Sequence, residues 1–229
     1  MIRRGLFMSL LPLALTAGAG LWGYLTVEPG VRVPVHWGLD GRPDRFAGPA
    51  EAFLSPLALA AGVTLLFAGL PRLDPRGSNL RHSVRAYLVA WLGTLWLLAL
   101  LQVGTVLTAT GILGTKAGGL QPRLTLAGAA LIIVLVGNYL GKTRPNWILG
   151  VRTPWTLSSD LAWERTHRLA GRLFVAVGIV GAITSVVEPA AGVSVLIAGV
   201  LTAALASVVY SYLVWRQAPD KQVGSQIAD

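Results

Sequence analysis

"AYLVAWLGTLWLLALLQVGTVLTATGILGT", Ala86 to Thr115, contains no Asp, Glu, Lys, Arg or His. Crossing the hydrocarbon core of a bilayer takes about 20 apolar residues, and this stretch exceeds that length without one charge. Working outward, five more runs share the property: Gly5 to Val27, Ala52 to Pro71, Leu124 to Gly141, Leu173 to Val187, and Pro189 to Trp215. The shortest, Leu173 to Val187, reaches only about 22 Å at the helical rise. It needs Leu169 to Arg172 as well, with the Arg172 guanidinium snorkelling to the interface. The chain is 54% hydrophobic and 13% charged, against about 25% charged in soluble domains. In lipid the backbone must satisfy its own polar groups, and runs of this kind do so as helices. The expectation is an all-α membrane protein with six transmembrane helices.

The net charge of +9 points to topology rather than to nucleic acid once its distribution is followed. With the N-terminus inside, one set of segments holds Arg3, Arg4, Arg72, Arg76, Arg81, Arg85, Lys142, Arg144, Arg152, Arg165, Arg168, Arg172, Arg216 and Lys221. The opposite set holds Arg32, Arg42, Arg45, Lys116 and Arg123. Inner loops concentrate Lys and Arg, so both termini are expected in the cytoplasm and no direct nucleic-acid contact is expected. Arg3-Arg4 followed by an apolar stretch and Ala17-Gly18-Ala19 imitates a cleaved signal peptide. The run continues through Leu21, Trp22, Tyr24 and Leu25, which favours a retained helix. The absence of cysteine removes disulfides, Cys-ligated zinc and thiol catalysis.

Expected helices run from about Gly5 to Thr26, Glu51 to Leu70, Arg85 to Ala109, Arg123 to Leu140, and then a tight hairpin of two joined near Glu188-Pro189. The divisions read from this are 1–83, an N-terminal hairpin with an extracytoplasmic His-Trp loop; 84–216, a four-helix membrane region; and 217–229, a disordered cytoplasmic tail. Ala14 and Gly18, Ala19 and Gly23, and Gly199, Ala203 and Ser207 are small residues four apart, a spacing that lets helices approach closely in lipid.

Two blocks are too polar for spans. The outer one is "VRVPVHWGLDGRPDRF", Val31 to Phe46. Val31, Val33, Val35 and Trp37 alternate with Arg32, Pro34, His36 and Gly38, the period of a strand, and Asp40-Gly41 supplies a turn. A small extracytoplasmic β-like flap is expected, with Pro34, His36, Trp37, Asp40, Gly41, Pro43 and Asp44 as its candidate contact residues. One histidine and two loop carboxylates lack a metal-ligand spacing. The inner block, Gly137 to Arg172, holds "GVRTPWTLSSDLAWERTHR" from Gly150 to Arg168. Pro145, Gly150 and Pro154 make Thr143 to Leu157 an ordered loop. Ser158 or Ser159 then caps a new helix. Its Leu161, Trp163, Thr166 and Ala170 turn toward bilayer or bundle and Glu164, Arg165 and Arg168 toward water. That pattern fits a cytoplasmic interfacial helix bending near Gly171 into the fifth span. Trp147, Trp155 and Trp163 match an interfacial aromatic belt.

Catalysis finds little support. Glu164 and His167 share a helical face, as in Glu-x-x-His metal sites, but further inward ligands are missing. There is no Gly-x-Ser-x-Gly and no carboxylate inside an apolar run, which also disfavours ion-coupled pumping. No metal, cofactor or enzymatic activity is expected.

The two blocks together resemble the SdpI-type immunity proteins of bacteria with the small domain of unknown function that often precedes them. The outer resemblance rests on Pro34, His36, Trp37, Gly41, Pro43 and Asp44, with Gly38 where an Asn is expected. The inner one rests on Gly137-Asn138, Pro145-Asn146, Gly150, Arg152-Thr153-Pro154-Trp155-Thr156-Leu157, Trp163, Thr166-His167 and Gly171. The resemblance implies a multi-pass protein of the bacterial cytoplasmic membrane that protects against a secreted peptide or protein toxin. It also implies an ArsR-type repressor held at the inner face. Asn146, Arg152, Thr153, Pro154, Trp155, Thr156, Trp163 and His167 are the candidate cytoplasmic partner-binding residues. Two other classes fit the residues: a transporter or channel for a small or lipid-like molecule, and a membrane enzyme with its site at the cytoplasmic interface.

Overall fold

In a computed structural model the chain is described over residues 1–40, 42–75, 77–113 and 119–221. Gly41, Arg76, Lys116 and the tail from residue 222 onward lie outside the described residues. The order is α1 (Ile2–Thr26), β1 (Val33–Trp37), β2 (Pro43–Ala47), α2 (Pro49–Gly69), a 3-10 turn (Leu70–Arg72), α3 (Gly77–His82), α4 (Val84–Ala109), α5 (Leu120–Leu140), α6 (Pro154–Leu157), α7 (Asp160–Val187) and α8 (Pro189–Gln217). Among the described residues six helices (α1, α2 with its 3-10 extension, α4, α5, α7 and α8) are long and apolar enough to span a membrane. The protein is a multi-pass membrane protein. Large hydrophobics such as Phe7, Leu25, Leu65, Leu201 and Leu205 point outward, as a lipid-facing surface requires.

Inside the bundle the helices make their contacts through small residues. A Cβ on Gly137 would come within 2.9 Å of the Gly171 carbonyl, and one on Gly171 within 2.6 Å of the Gly137 carbonyl. The backbones of α5 and α7 therefore touch. Gly23, Gly199, Ala203 and Ser207 are likewise turned inward, with Phe53 and Val106 packed on Gly23 and Val177 on Gly199. Ala14 and Gly18 instead face open space. Hydroxyls inside helices fold back on their own backbone: Ser9 donates to Gly5 O, Thr16 to Pro12 O, Thr64 to Ala60 O and Ser207 to Ala203 O. That local bond lets Ser and Thr sit in an apolar medium without a partner on another helix.

Two apolar clusters mark opposite ends of the α1–α2–α4 unit. Val27, Val33, Ala47, Ala52, Phe53 and Val106 form one, which seats the hairpin on α2 and α4. Ala60, Leu80, Tyr87, Leu88, Trp91 and Leu95 form the other, where Phe67, Tyr87 and Trp91 pack ring on ring. The hairpin has the expected antiparallel form, pairing Val33 with Ala47 and Trp37 with Pro43, with register irregularities around His36. The segment expected as an interfacial helix forms, but it is continuous with the fifth span. Asp160 to Val187 is one helix of 28 residues, so its polar first turns extend the span instead of lying apart from it.

Candidate functional site

The loop between α5 and α7 is a pinned structure with polar residues at its centre. Asn146 is fully buried: its Oδ1 accepts from the Ile148 and Leu149 N–H groups at 2.9 and 2.7 Å, and its Nδ2 donates to Arg144 O at 2.8 Å. Asn carries both an acceptor and donors on one short side chain, so one residue ties the turn on both sides. Neighbouring elements hold the outside of this turn. Asn79 donates to Pro145 O at 2.9 Å and the Arg144 N–H to Ser83 Oγ at 3.1 Å.

Four residues later the chain reverses at Gly150, where φ is +114°. The reversal brings the Val151 N–H onto His167 Nε2 at 2.9 Å. His167 Nδ1 meets Trp163 O at 2.8 Å. Accepting at Nε2 requires that nitrogen to be unprotonated, so the ring is neutral with its proton on Nδ1 and donates to the carbonyl. The imidazole stacks on the Trp163 indole, centroids 4.0 Å apart and planes within 20°. Trp163 Nε1 in turn donates to Thr143 O at 3.0 Å. Loop and helix are thus clasped through two side chains on α7.

The Thr-Pro-Trp-Thr-Leu run makes α6. Thr153 and Thr156 form a reciprocal cap, Thr156 N–H to Thr153 Oγ1 at 3.2 Å and Thr153 N–H to Thr156 Oγ1 at 2.9 Å. Pro154 occupies the first turn, where its missing N–H costs nothing. Thr153 Oγ1 also reaches Ser211 Oγ on α8 at 3.2 Å, and Trp155 packs edge-on against Tyr212 at 5.2 Å. Ser159, rather than Ser158, caps α7 through the Ala162 N–H at 3.0 Å. Asp220, beyond α8, accepts from Ser159 Oγ at 2.7 Å and from the Leu161 N–H at 3.0 Å. Burial alone would raise its carboxyl, but these donors outweigh it and hold the group below its ordinary 3.8.

The eight inner candidates are brought together but do not share one role. Asn146, Thr153, Thr156, Trp163 and His167 are buried, whereas Arg152 and Pro154 are exposed and Trp155 half-buried. Trp163 lies inside the bundle and is no member of an interfacial belt. Glu164 and His167 diverge: the carboxylate is exposed and pairs with Arg168, while the imidazole is enclosed. Among the described residues no group of three or more His, Asp or Glu is placed to hold a metal.

On the opposite side of the bundle, His36 Nδ1 lies 2.6 Å from Asp44 Oδ1, with both side chains more than half exposed. Asp40 Oδ1 accepts from the Arg42 N–H at 3.0 Å. A Cβ on Gly38 would come within 3.0 Å of Asp40 Oδ1 and 3.4 Å of Asp44 Oδ2. Pro34, Trp37 and Pro43 are half-buried. Beneath the flap a cavity of about 250 Å³ is lined by Trp37, Gly38, Leu39, Gln121, Pro122 and Leu126.

Gln121 was not singled out in the sequence, yet it is the polar link between α4 and α5. Its Oε1 accepts from Thr108 Oγ1 at 2.9 Å and its Nε2 donates to Thr105 Oγ1 at 3.0 Å. Gln102 donates to Phe53 O on α2 at 3.0 Å. Gln102, Thr105 and Thr108 recur every three residues within an otherwise greasy run, which was the available signal for a buried polar seam.

Residues 142–211 match the family model described as the SdpI/YfhL protein family. The chain is also similar to Immunity protein SdpI of Bacillus subtilis (strain 168), at 28% identity over 119 residues, which is 51% of this chain and 54% of that protein. It therefore spans about half the length of that curated relative. No solved structure matches. The family segment opens at Lys142, beside the Thr143 carbonyl that receives Trp163, and closes at Ser211, which meets Thr153. This clasped loop and the two helices that hold it are the part of the chain that is similar to the SdpI/YfhL protein family.

Proposed function

We propose that this protein is a membrane immunity protein that protects its cell against a secreted toxin and signals that encounter to the cytoplasm. The observation that carries the reading is where the family segment falls. It coincides with the loop in which Asn146, Thr153, Thr156, Trp163 and His167 are buried and mutually bonded. Chemistry does not account for these residues, because no reactive pair faces solvent there. They position a surface. Arg152, Pro154 and Trp155 form its outward part, of the cationic and aromatic types that dominate protein contacts. An open polar cleft of about 580 Å³ lies alongside, lined by residues that include Lys142, Arg144, Asp160, Glu164 and Arg168.

In this reading the basic loops and both termini face the cytoplasm, as the distribution of Lys and Arg favours, and the hairpin meets toxin outside. The inner surface docks a soluble ArsR-type repressor. The test is deletion of the gene followed by challenge with toxin-secreting bacteria. Survival should fall in the deletion strain and return with the wild-type gene; unchanged survival refutes the immunity role. Pull-down of the repressor should be lost in an Arg152→Ala/Trp155→Ala variant that still reaches the membrane, and retention refutes the docking surface.

A further inference from the structure

A groove of about 740 Å³ runs along α4 between α1 and α5, and its walls are almost wholly apolar. Met8, Leu92, Trp96, Leu100, Ile132 and Leu135 are among them. From Arg85 to Leu100 it follows α4 for about 22 Å at the helical rise, longer than one leaflet of a hydrocarbon core of about 30 Å. Gly93 and Gly128 both lie on its walls, packed against Ile132 and Leu100 respectively.

One end of the groove is different. Arg4 and Arg85 line both the groove and an adjoining space of about 390 Å³ that also holds Lys142 and Thr143. Tyr139 stands at the junction, with the Lys142 ammonium 5.1 Å from its ring centre. Among the described residues no Asp or Glu lines either space, and none of the described ion pairs includes Arg4, Arg85 or Lys142. These cations sit at the first turns of α1 and α4 and just past the end of α5, the level at which helices meet headgroups. An acyl-length slot that ends in three exposed cations without a counter-charge matches one kind of occupant.

We propose that this groove binds an anionic phospholipid, its phosphate on Arg4, Arg85 and Lys142 and one acyl chain along α4. Basic pockets between spanning helices hold anionic headgroups by charge, while the chain is held by dispersion and exclusion from water. Zwitterionic lipid has the same tails but no net charge for the three cations.

The test is native mass spectrometry of the full chain, released from detergent after equilibration with phosphatidylglycerol or phosphatidylcholine of identical chains. Retained adducts should be dominated by phosphatidylglycerol. An Arg4→Gln/Arg85→Gln variant should lower its retention by roughly tenfold or more and leave phosphatidylcholine unchanged. Val89→Trp, which fills the slot with the cations intact, should weaken both lipids. Arg32→Gln/Arg42→Gln, on the hairpin, should change nothing. Both arginines are exposed, so the variant is expected to fold, and an unchanged circular dichroism spectrum checks it. Equal retention of the two lipids, or undiminished phosphatidylglycerol on Arg4→Gln/Arg85→Gln, would overturn the proposal.

Discussion

Gly150→Ala tests whether the loop between α5 and α7 is held by His167. At φ +114° an alanine is forced into a region that costs a non-glycine residue about 1–3 kcal/mol. Its methyl would also lie 2.1 Å from His167 Nε2 and 2.8 Å from Cδ2. The ring must move, and moving it breaks the bond from the Val151 N–H. Leaving that part-buried donor unpaired costs about 1–3 kcal/mol. The sum is about 2–6 kcal/mol, and even the lower figure is roughly thirtyfold in an equilibrium constant. The assay is hydrogen–deuterium exchange of the protein in nanodiscs, followed in peptides covering residues 146–157. Exchange should quicken by at least that factor in the loop while α1, α2 and α4 keep wild-type protection. Gly62→Ala is the control, since nothing lies within 4 Å of a Cβ there. Wild-type exchange in the variant loop, or an equal rise in every helix, refutes the clasp.

Gly171→Leu drives a side chain into the Gly137 carbonyl and should separate α5 from α7; a loss of more than about 3 kcal/mol is expected from overpacking, read as lowered resistance to unfolding in detergent, and a stable variant counts against the contact. Asp220 gives a pH signature. Its folded value lies below the ordinary carboxylate range, so the anchoring of residues 218–221 is complete above that range and is lost as pH falls through the folded value. Protease cleavage after α8 should therefore stay constant from neutral pH down to about 5 and rise at lower pH, and Asp220→Asn should be sensitive throughout.

The six spans were legible because uncharged runs of spanning length have few alternatives, and the helices begin within three residues of the expected starts at α1, α2, α4 and α5. The flap was legible from the alternation around Val33 and Val35. Within the inner block the helical face was also readable: Trp163, Thr166 and Ala170 are buried and Glu164, Arg165 and Arg168 exposed. What could not be read was the partner of each buried group. Asn146 reads as a loop residue and His167 as a partner-binding candidate on a helix until the loop folds back, because their bonds go to backbone atoms that carry no side-chain signature. Asp220 and Ser211 lie about 60 residues from Ser159 and Thr153, and no local pattern links them. Trp163 resembled a headgroup-level tryptophan because Trp in a polar segment suits either place until its Nε1 is found on Thr143 O.

The clasp also sets an order of construction. Every side chain that fastens the loop from α7 or beyond (Trp163, His167, Ser211 and Asp220) leaves the ribosome after the loop itself. While α7 is still being synthesised, the Val151 N–H has no imidazole to meet and Thr143 O no indole. The loop therefore takes its final shape only once the last helix has entered the membrane, so a nascent chain truncated before α8 would carry five spans and an unfinished connection between α5 and α7.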